Sequence, residues 1–387
     1  MNFLPAECFR IAIGTQGYEY PSGVWRRSLI SLPHPILGAF WALYAQACIL
    51  TGKHNTLLDI SERHSILLYY KAYSLYICGK FIEALDYAER FCSIAPKHRE
   101  GNYLLSDILF ELGKKDEAFQ LLRESFLSKR KTWVKLANLV ESPQDYALLK
   151  LIYKSALSEG KIAADDPVIL ENYAMGAQRA GEYEDAVRLW KYIVTLPTPL
   201  VKTIKRKLAT GPALTALRVL SEKMEEAGFS IFLISGTLLG FIRNGDFLTH
   251  DTDLDVGIFD GFDPLALRRV IWATGCFTIM PQRSPHCIRV RHVNGTPIDI
   301  FTHYRTTDDY WHGGVKVSWH NTPFGLKPAD FNGISIWIPD DPERYLEENY
   351  GIDWRKPKRS FDSAKDCPNS VLENEFELYI HKLKNSI

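Results

Sequence analysis

The sequence predicts a multidomain protein. An all-α helical repeat domain over residues 1–205 precedes an α/β (α+β) catalytic domain over residues 206–387. Three observations predict this organisation. A glycine–alanine pattern recurs in the first half at steps of 34 and 68 residues. Short apolar runs typical of strands alternate with helical segments in the second half. A glycine-containing turn also stands just ahead of alternating aspartates there.

The first half contains three similar turns, each with a glycine followed five residues later by an alanine. A period of 34 residues is typical of helix–turn–helix solenoid units. Glycine ends one helix, and the small alanine lets the next helix pack closely. An ordinary helical bundle with chance spacing stays open as the alternative. The repeated positions are Gly79, Gly113 and Gly181 for the glycine, and Ala84, Ala118 and Ala186 for the alanine.

The sequence pattern changes near Lys202–Gly211, the predicted join between the two domains. Apolar residues at helical spacing predict an amphipathic helix over 211–227. Short runs of apolar or alternating residues then predict strands, and mixed elements of this kind indicate an α/β or α+β domain. The predicted strands are Ile231–Ser235, Leu254–Phe259, Cys287–Val293, Pro297–Phe301 and Ile334–Ile338.

Composition excludes several classes of protein. The formal net charge is zero, which argues against a wholesale nucleic-acid binder. The chain has no apolar run of about 18 residues, and its start lacks the pattern of a cleaved signal peptide. The seven cysteines form no Cys-x-x-Cys pair, so neither a zinc knuckle nor a disulfide framework is supported. We therefore expect a cytoplasmic protein.

The run that begins at Ser235 combines a predicted strand end, a turn and the start of a helix. Backbone N–H groups around Gly236 and Gly240, with the hydroxyls of Ser235 and Thr237, could hold a phosphate at this helix N-terminus. A plain strand-to-helix turn is the alternative.

Three aspartates alternate shortly after this turn, at 251, 253 and 255. Side chains two residues apart on a strand share a face, so Asp253 and Asp255 would point together. Carboxylates so close favour a hard cation, Mg²⁺ or Mn²⁺, between them. A solvated loop or a calcium site is the alternative. An EF-hand loop fails, because Val256 and Phe262 occupy the positions that require Gly and Glu.

Asp299 stands on a second apolar strand, Pro297–Phe301. A charged residue inside such a strand needs a partner or a metal, although an outward-facing side chain would also explain it. A glycine turn, an Asp-x-Asp strand and a third Asp on a neighbouring strand resemble the layout of the polymerase-β-type nucleotidyltransferase superfamily. Phosphoryl transfer of this kind uses two cations to clamp the transferring phosphate.

The surrounding residues resemble the LicD/fukutin family over about residues 212 to 360. The pattern departs from that family at His250 and Thr252, where Trp and Asp are usual, and this could alter the donor pocket. The first half resembles the tetratricopeptide repeat family over roughly residues 64 to 200. The segments that carry the LicD/fukutin resemblance are Gly236–Arg243, Asp251–Gly257, Ile298–Phe301, Ile338–Pro339, Tyr345–Leu346, Tyr350–Trp354 and Pro357.

The LicD/fukutin resemblance implies transfer of a phosphorylated alcohol from a CDP-activated donor to a glycan hydroxyl, with release of CMP. Phosphocholine, ribitol phosphate and glycerol phosphate are the implied groups. Capsule, lipopolysaccharide and teichoic-acid-like glycans are the implied acceptors. Asp253, Asp255 and Asp299 are carried over as ligands of Mg²⁺ or Mn²⁺, with Asp251 as a fourth. Asp299 is also expected to accept the proton of the attacking hydroxyl.

Basic and aromatic residues give weaker predictions. Arg243 is a predicted phosphate clamp, with a surface arginine as the alternative. Arg289 and Arg291 share a strand face and could hold the donor pyrophosphate, although a solvated edge strand explains them nearly as well. Tyr350 and Trp354 are interpreted as packing residues rather than a base-stacking platform. The last of these predictions treats Lys356, Lys358 and Arg359 as a solvated basic tail rather than a patch for an anionic ligand.

Two other functions stay open. One is a nucleotidyltransferase that adds NMP from an NTP to a small molecule or protein. The other is a repeat scaffold with an inactive transferase domain. In the leading hypothesis the helical repeats recruit a protein partner or position a long acceptor. A glycan polymerase or ligase at the inner face of the membrane is the expected kind of partner, which would bring the protein into peripheral contact with that membrane.

Overall fold

A computed structural model of the chain describes residues 35–62, 64–124, 126–197, 207–358 and 361–386. The chain forms two compact units, one within residues 1–201 together with 380–387, and one within 202–379. Part of the predicted join at Lys202–Gly211, and Arg359 of the predicted basic tail, lie outside the described residues.

The first unit is helical, as its sequence predicts. Successive helices are joined by short turns, and the glycines of three of these turns adopt a left-handed conformation, with φ of +71° at Gly79, +74° at Gly113 and +76° at Gly181. Residues with a side chain rarely adopt such angles, so glycine suits these helix ends. The helices are α1 Pro35–Leu50, α2 His54–Asp59, α3 Ile66–Ile77, α4 Phe81–Ile94, α5 Arg99–Glu111, α6 Lys115–Glu124, α7 Arg130–Asn138, α8 Pro143–Ser158, α9 Pro167–Arg179 and α10 Tyr183–Ile193.

The repeated alanines lie inside this unit. Ala84, Ala118 and Ala186 are each completely buried, so these positions admit close approach of a neighbouring helix. The large rings of Trp133 and Trp190 fill the core beside them. The all-α prediction is therefore confirmed. Membership of the tetratricopeptide repeat family stays a prediction.

Residues 380–387, which the sequence assigns to the second domain, cluster with the first unit. Ile380 is almost completely buried. The ammonium of Lys384 lies 4.3 Å from the ring centroid of Trp190, within cation–π range. These contacts account for the assignment of the last turns to the helical unit.

The second unit mixes helices and short strands. The predicted strand at Leu254–Phe259 is observed with the same limits, and four other predicted strands are observed with ends shifted by one to four residues. The elements are α11 Thr210–Glu226, β1 Ile231–Leu233, α12 Ser235–Asn244, β2 Leu254–Phe259, α13 Pro264–Ala273, β3 Phe277–Ile279, β4 Cys287–His292, β5 Pro297–Arg305, β6 Tyr310–Gly313, β7 Val317–Asn321, β8 Leu326–Asp330, β9 Ser335–Pro339, α14 Pro342–Tyr350, α15 Ser363–Asp366, β10 Ser370–Leu372 and α16 Glu375–Asn385.

The strands form one mixed sheet in the order β10-β7-β6-β5-β2-β1-β9-β8, with β4 paired to β5 and β3 paired to β4. Most pairs are antiparallel, but β2 pairs with β5 and β1 with β9 in parallel. The combination of a mixed sheet and helices confirms that the second unit belongs to the predicted α/β (α+β) class. No described helix combines the length and the apolar character that a bilayer span requires.

Register in the centre of the sheet places the functional candidates. In the parallel pair β2–β5, Asp255 lies directly opposite Asp299. In the antiparallel pair β4–β5, Arg289 lies opposite Asp299. Directly opposite residues project from the same face of a sheet, so the three side chains share one face. Leu254, Val256 and their apolar neighbours face the other way into the core.

Buried histidines stabilise the sheet in their neutral form. The rings of His303 and His312 stack with centroids 4.3 Å apart. Burial lowers the pKa of His303 to about 3 and that of His292 to about 4. Burial, with neighbouring imidazoles, also lowers the pKa of His312 well below its usual value. The unfolded imidazoles take up protons below about pH 6.5, whereas the folded ones do not until pH approaches 3. The contribution of these histidines to the free energy of unfolding is therefore highest above pH 6.5 and falls as pH falls toward 3.

We predict that His303→Phe reduces the acid sensitivity of the protein. Between pH 7.5 and 5, the wild type should lose about 2 kcal/mol more stability than the variant, since the unfolded imidazole gains about 1.4 kcal/mol per pH unit below its pKa. Thermal unfolding at the two pH values measures the difference. Between pH 7.5 and 9 both proteins should respond alike, because the imidazole is neutral in both states. An equal loss of stability in the acid range would contradict the assignment.

Candidate functional site

The site begins where β1 runs into α12. Ser235 is the first residue of that helix and has φ of +48°, a left-handed conformation that is unusual for serine. Gly236 follows it, and a carbon added at its Cβ position would lie 3.0 Å from Oδ2 of Asp251. A side chain at residue 236 would therefore push on this carboxylate. Glycine lets Asp251 approach the N-terminal turn of the helix.

Thr237 ties this turn to the aspartate strand. Its side chain is almost completely buried, and its Oγ1 accepts a hydrogen bond of 2.8 Å from the backbone N–H of Asp255. The bond fixes the start of α12 against β2. Thr237 therefore positions Asp255 and does not line the cavity described below.

The four predicted carboxylates interact electrostatically around Asp255. Burial raises the pKa of Asp255 well above its usual value, and the charges of Asp253, Asp299 and Asp251 raise it further. Burial also raises the pKa of Asp251 to about 6. Asp253 lies just before β2, where its Oδ1 accepts a hydrogen bond of 3.2 Å from Thr252. The carboxylates therefore oppose one another's ionisation, and Arg289 offsets this at Asp255 only in part.

Arg289 supplies part of the opposite charge. Its Nε donates a hydrogen bond of 3.1 Å to Oδ1 of Asp299. Arg291 lies two residues further along β4, opposite Pro297. The structure thus places Arg289 beside a carboxylate. Neither Arg289 nor Arg291 is among the residues that line the cavity where a pyrophosphate would sit.

The carboxylates match a hard divalent cation in their chemistry. They offer oxygen atoms only, which suits Mg²⁺ or Mn²⁺, and their mutual repulsion around Asp255 is what a bound cation relieves. Within the described ranges, no group of three or more His, Cys, Asp or Glu side chains already converges as a ligand set. Metal binding would therefore require small rotations of side chains such as Asp299, which now faces Arg289.

A cavity of about 360 Å³ opens over Asp255. Five predicted site residues line it: Ser235, Gly236, Arg243, Asp251 and Asp255. Asp253, Asp299 and Gly240 do not line it. At Gly240, an added Cβ would lie 2.6 Å from the carbonyl oxygen of Asp246. The structure therefore places Gly240 in a tight packing contact, where close approach of the backbone requires glycine.

The opposite wall of the cavity includes Tyr350, Trp354, Lys356 and Lys358, which the sequence analysis interpreted as packing residues or a solvated tail. Aromatic rings and exposed lysines from β5, β7, α14 and the segment after α14 form this wall. These wall residues include Phe301, Trp319, Tyr350, Trp354, Lys356, Lys358 and Phe361.

Arg243 links the two walls. Its Nη1 donates a hydrogen bond of 3.3 Å to the backbone carbonyl of Trp354. Its Nε is buried and has no hydrogen-bond partner among the described residues. The residue as a whole lines the cavity, where a guanidinium can bind a phosphate. The geometry fits the predicted phosphate contact and adds a role in holding the second wall.

We predict that Ser235→Gly raises the unfolding midpoint. Glycine adopts φ of +48° without the steric cost of about 1 kcal/mol that a Cβ carries. Differential scanning calorimetry of the full chain measures the change. Asn332→Gly is the matched comparison, since Asn332 also has positive φ, at +53°, but lies outside the cavity. The gain there should be smaller because asparagine tolerates this conformation. A lower midpoint for Ser235→Gly would contradict the strain.

Comparisons with known proteins match the part of the chain that contains this site. Residues 228–341 match the family described as LicD/FKTN/FKRP, nucleotidyltransferase domain. The ribitol-5-phosphate transferase FKTN of Mus musculus is 26% identical over 163 residues, which cover 40% of this chain and 35% of that protein. The same enzyme of Homo sapiens is 24% identical over 166 residues, with 40% and 35% covered. An uncharacterized protein of Rickettsia typhi is 25% identical over 181 residues, which cover 43% of this chain and 54% of that protein.

The chain spans about a third of the length of the fukutin relatives that it matches. The matched family segment begins just before β1 and ends at the start of α14, so it contains the turn at Ser235 and all four carboxylates. The LicD/fukutin-like resemblance predicted from the motifs is confirmed for this segment.

Proposed function

From the premise that residues 228–341 form a LicD/fukutin-like domain, we propose that this protein is a metal-dependent phosphotransferase. It transfers a phosphorylated alcohol, of the phosphocholine, ribitol phosphate or glycerol phosphate type, from a CDP-linked donor to a hydroxyl of a cell-surface glycan. The second product is CMP. Relatives named as ribitol-5-phosphate transferases support the general class.

One observation carries the proposal. The N-terminal turn of α12, Arg243 and two carboxylates line the same cavity. Helix N-termini and guanidinium groups bind phosphate, whereas carboxylates repel it unless a cation lies between them. A cavity that presents both is suited to a phosphate bound together with a divalent metal.

The metal would be Mg²⁺ or Mn²⁺, held by Asp253, Asp255 and Asp299, with Asp251 as a further ligand. When bound, such an ion neutralises charge on a transferring phosphate. Thr237 positions Asp255, because its Oγ1 accepts a hydrogen bond of 2.8 Å from the backbone N–H of Asp255. Ser235 and Gly236 present the helix N-terminus to the donor, and Arg243 brings its guanidinium to the same cavity.

Asp299 is the proposed general base. Its carboxylate takes the proton of the acceptor hydroxyl while that oxygen forms a bond to the donor phosphorus. The bond between this phosphorus and the oxygen of the departing CMP breaks, and CMP leaves with the electron pair. Arg289 holds Asp299 through the hydrogen bond of 3.1 Å. In this proposal Arg289 orients the base.

The experiment incubates the full chain with CDP-ribitol, CDP-glycerol or CDP-choline, a panel of capsule, lipopolysaccharide and teichoic-acid-like glycans, and Mg²⁺. Free CMP and the mass of the modified glycan are measured. We expect CMP release that requires metal and acceptor. An acceptor that carries NMP after incubation with an NTP would support the nucleotidyltransferase alternative. No metal-dependent CMP across the panel would contradict the proposal, and failure to bind Mn²⁺ would favour an inactive scaffold.

The helical unit is proposed to serve the same reaction by recruiting a protein partner or positioning a long acceptor. Stacked helical units present extended surfaces suited to this. Peripheral association with the cytoplasmic membrane through such a partner, at a polymerase or ligase of the glycan, belongs to the same proposal. Affinity capture would be carried out with the full chain and with a variant that lacks residues 206–387. We expect both to retain the same protein partners.

A further inference from the structure

Two chemically different sets of side chains line the cavity. The first set, called the polar end, comprises the turn at Ser235, Arg243 and the carboxylates Asp251 and Asp255. The second set, called the aromatic end, consists of four partly exposed aromatic rings, which the proposed transfer reaction has not yet used. These rings belong to Phe301, Trp319, Tyr350 and Phe361.

The rings form two neighbouring pairs. Phe301 and Trp319 are edge-to-face with centroids 6.5 Å apart, and Tyr350 and Phe361 are tilted with centroids 5.1 Å apart. Two contacts fix the ring of Trp319. The ring of His312 stacks on it with centroids 5.2 Å apart, and its Nε1 donates a hydrogen bond of 3.1 Å to the backbone carbonyl of Ser363. Rings held in this way offer a preformed surface for a flat ligand.

Charge decides which part of the donor meets the rings. Lys356 and Lys358 line this part of the cavity, and the ammonium of Lys358 lies 5.6 Å from the ring centroid of Phe361. The same ammonium is paired with Asp353 at 2.8 Å, so a quaternary ammonium such as choline would have to compete with a lysine that already lies over this ring. A neutral planar base on an anionic nucleotide matches both the rings and the lysines.

We propose that the aromatic end of the cavity binds the base of the donor nucleotide, with Phe361 and Tyr350 as the stacking surface. This inference rests on the proposed function, because it takes a nucleotide-linked donor as the ligand. It makes the segment after α14 the determinant of the leaving group, while the identity of the transferred alcohol is decided elsewhere.

Calorimetry with CMP and with inorganic diphosphate, each with Mg²⁺, tests this inference. Phe361→Leu should weaken CMP binding about tenfold, since stacking of one base on one ring contributes on the order of 1–3 kcal/mol. Diphosphate binding should change less than twofold. Ile352→Ala is the control, because Ile352 is 85% exposed in the same segment and does not line the cavity.

A second measurement uses the unmodified protein. Saturation-transfer NMR with CMP should show stronger transfer to the base protons H5 and H6 than to the ribose protons. Equal CMP affinity in wild type and Phe361→Leu, stronger transfer to ribose, or tight binding of choline at the rings would overturn the inference. Absence of CMP binding would also overturn it, even if transfer assays show CMP release. CMP binding that depends on Phe361 but no transfer with any donor would instead reject the proposed function alone.

Discussion

Asp255→Asn is expected to reduce CMP release about a thousandfold under saturating donor and Mg²⁺. Loss of one central ligand removes about 4 kcal/mol of the transition-state stabilisation that a bound cation supplies. The same change should not lower the unfolding midpoint without metal, because it removes a carboxylate whose pKa is raised by burial and by three neighbouring carboxylates. Rate assays and calorimetry on one preparation measure both effects.

Asp260→Asn is the matched control for this prediction. Asp260 is an aspartate at the other end of β2, where it forms a salt bridge of 2.8 Å with Arg305. It does not line the cavity, so its loss should change the rate less than threefold. Full activity in Asp255→Asn, or an equal loss in both variants, would contradict the role given to Asp255.

Gly240→Ala is expected to lower the unfolding midpoint by about 6 °C. The new Cβ would lie 2.6 Å from the carbonyl oxygen of Asp246 and 2.9 Å from the backbone nitrogen of Leu248. Backbone atoms cannot rotate away, so overpacking costs about 3 kcal/mol. Alanine favours a helix over glycine by about 1 kcal/mol, which is too little to offset this contact.

Gly245→Ala separates packing from backbone conformation. Gly245 ends α12 with φ of +67°, and nothing lies within 4 Å of an added Cβ. Only the left-handed conformation opposes alanine there, at a cost of about 1 kcal/mol or about 3 °C. Calorimetry of both variants should therefore rank Gly240→Ala as the more damaging change. The reverse order would show that the segment 246–248 yields to the new methyl group.

Several elements of the fold were predictable because local pattern and tertiary environment agree. Strand β2 alternates a carboxylate with apolar residues, and its observed limits equal the predicted ones. Strands β3, β6, β7, β8 and β10 were not predicted. They have only three to five residues, and β8 contains Lys327 and Pro328, so no apolar period marks it. Their pairing with longer strands determines their structure, and this information is not local.

The site was predictable in its carboxylates and less so in its second wall. Asp255 and Asp299 lie within apolar strands, and their direct opposition in β2 and β5 fits the predicted cluster. Arg289 and Arg291 were expected to hold a pyrophosphate, but strand register sets Arg289 against Asp299. Tyr350 and Phe361 showed no periodic signal. They reach the cavity only because the chain folds back after α14, and a single sequence carries little trace of such a return.

Anomalous scattering from Mn²⁺ tests the central claim most directly. Crystals of the full chain grown with MnCl₂ and CDP would be measured at the manganese absorption edge, alongside crystals of Asp255→Asn. The account predicts a peak within coordination distance of Asp253 and Asp255 at the polar end of the cavity, and its loss in the variant. A peak elsewhere, or none in the wild type while CDP occupies the cavity, would contradict the claim that these carboxylates hold the metal for phosphoryl transfer.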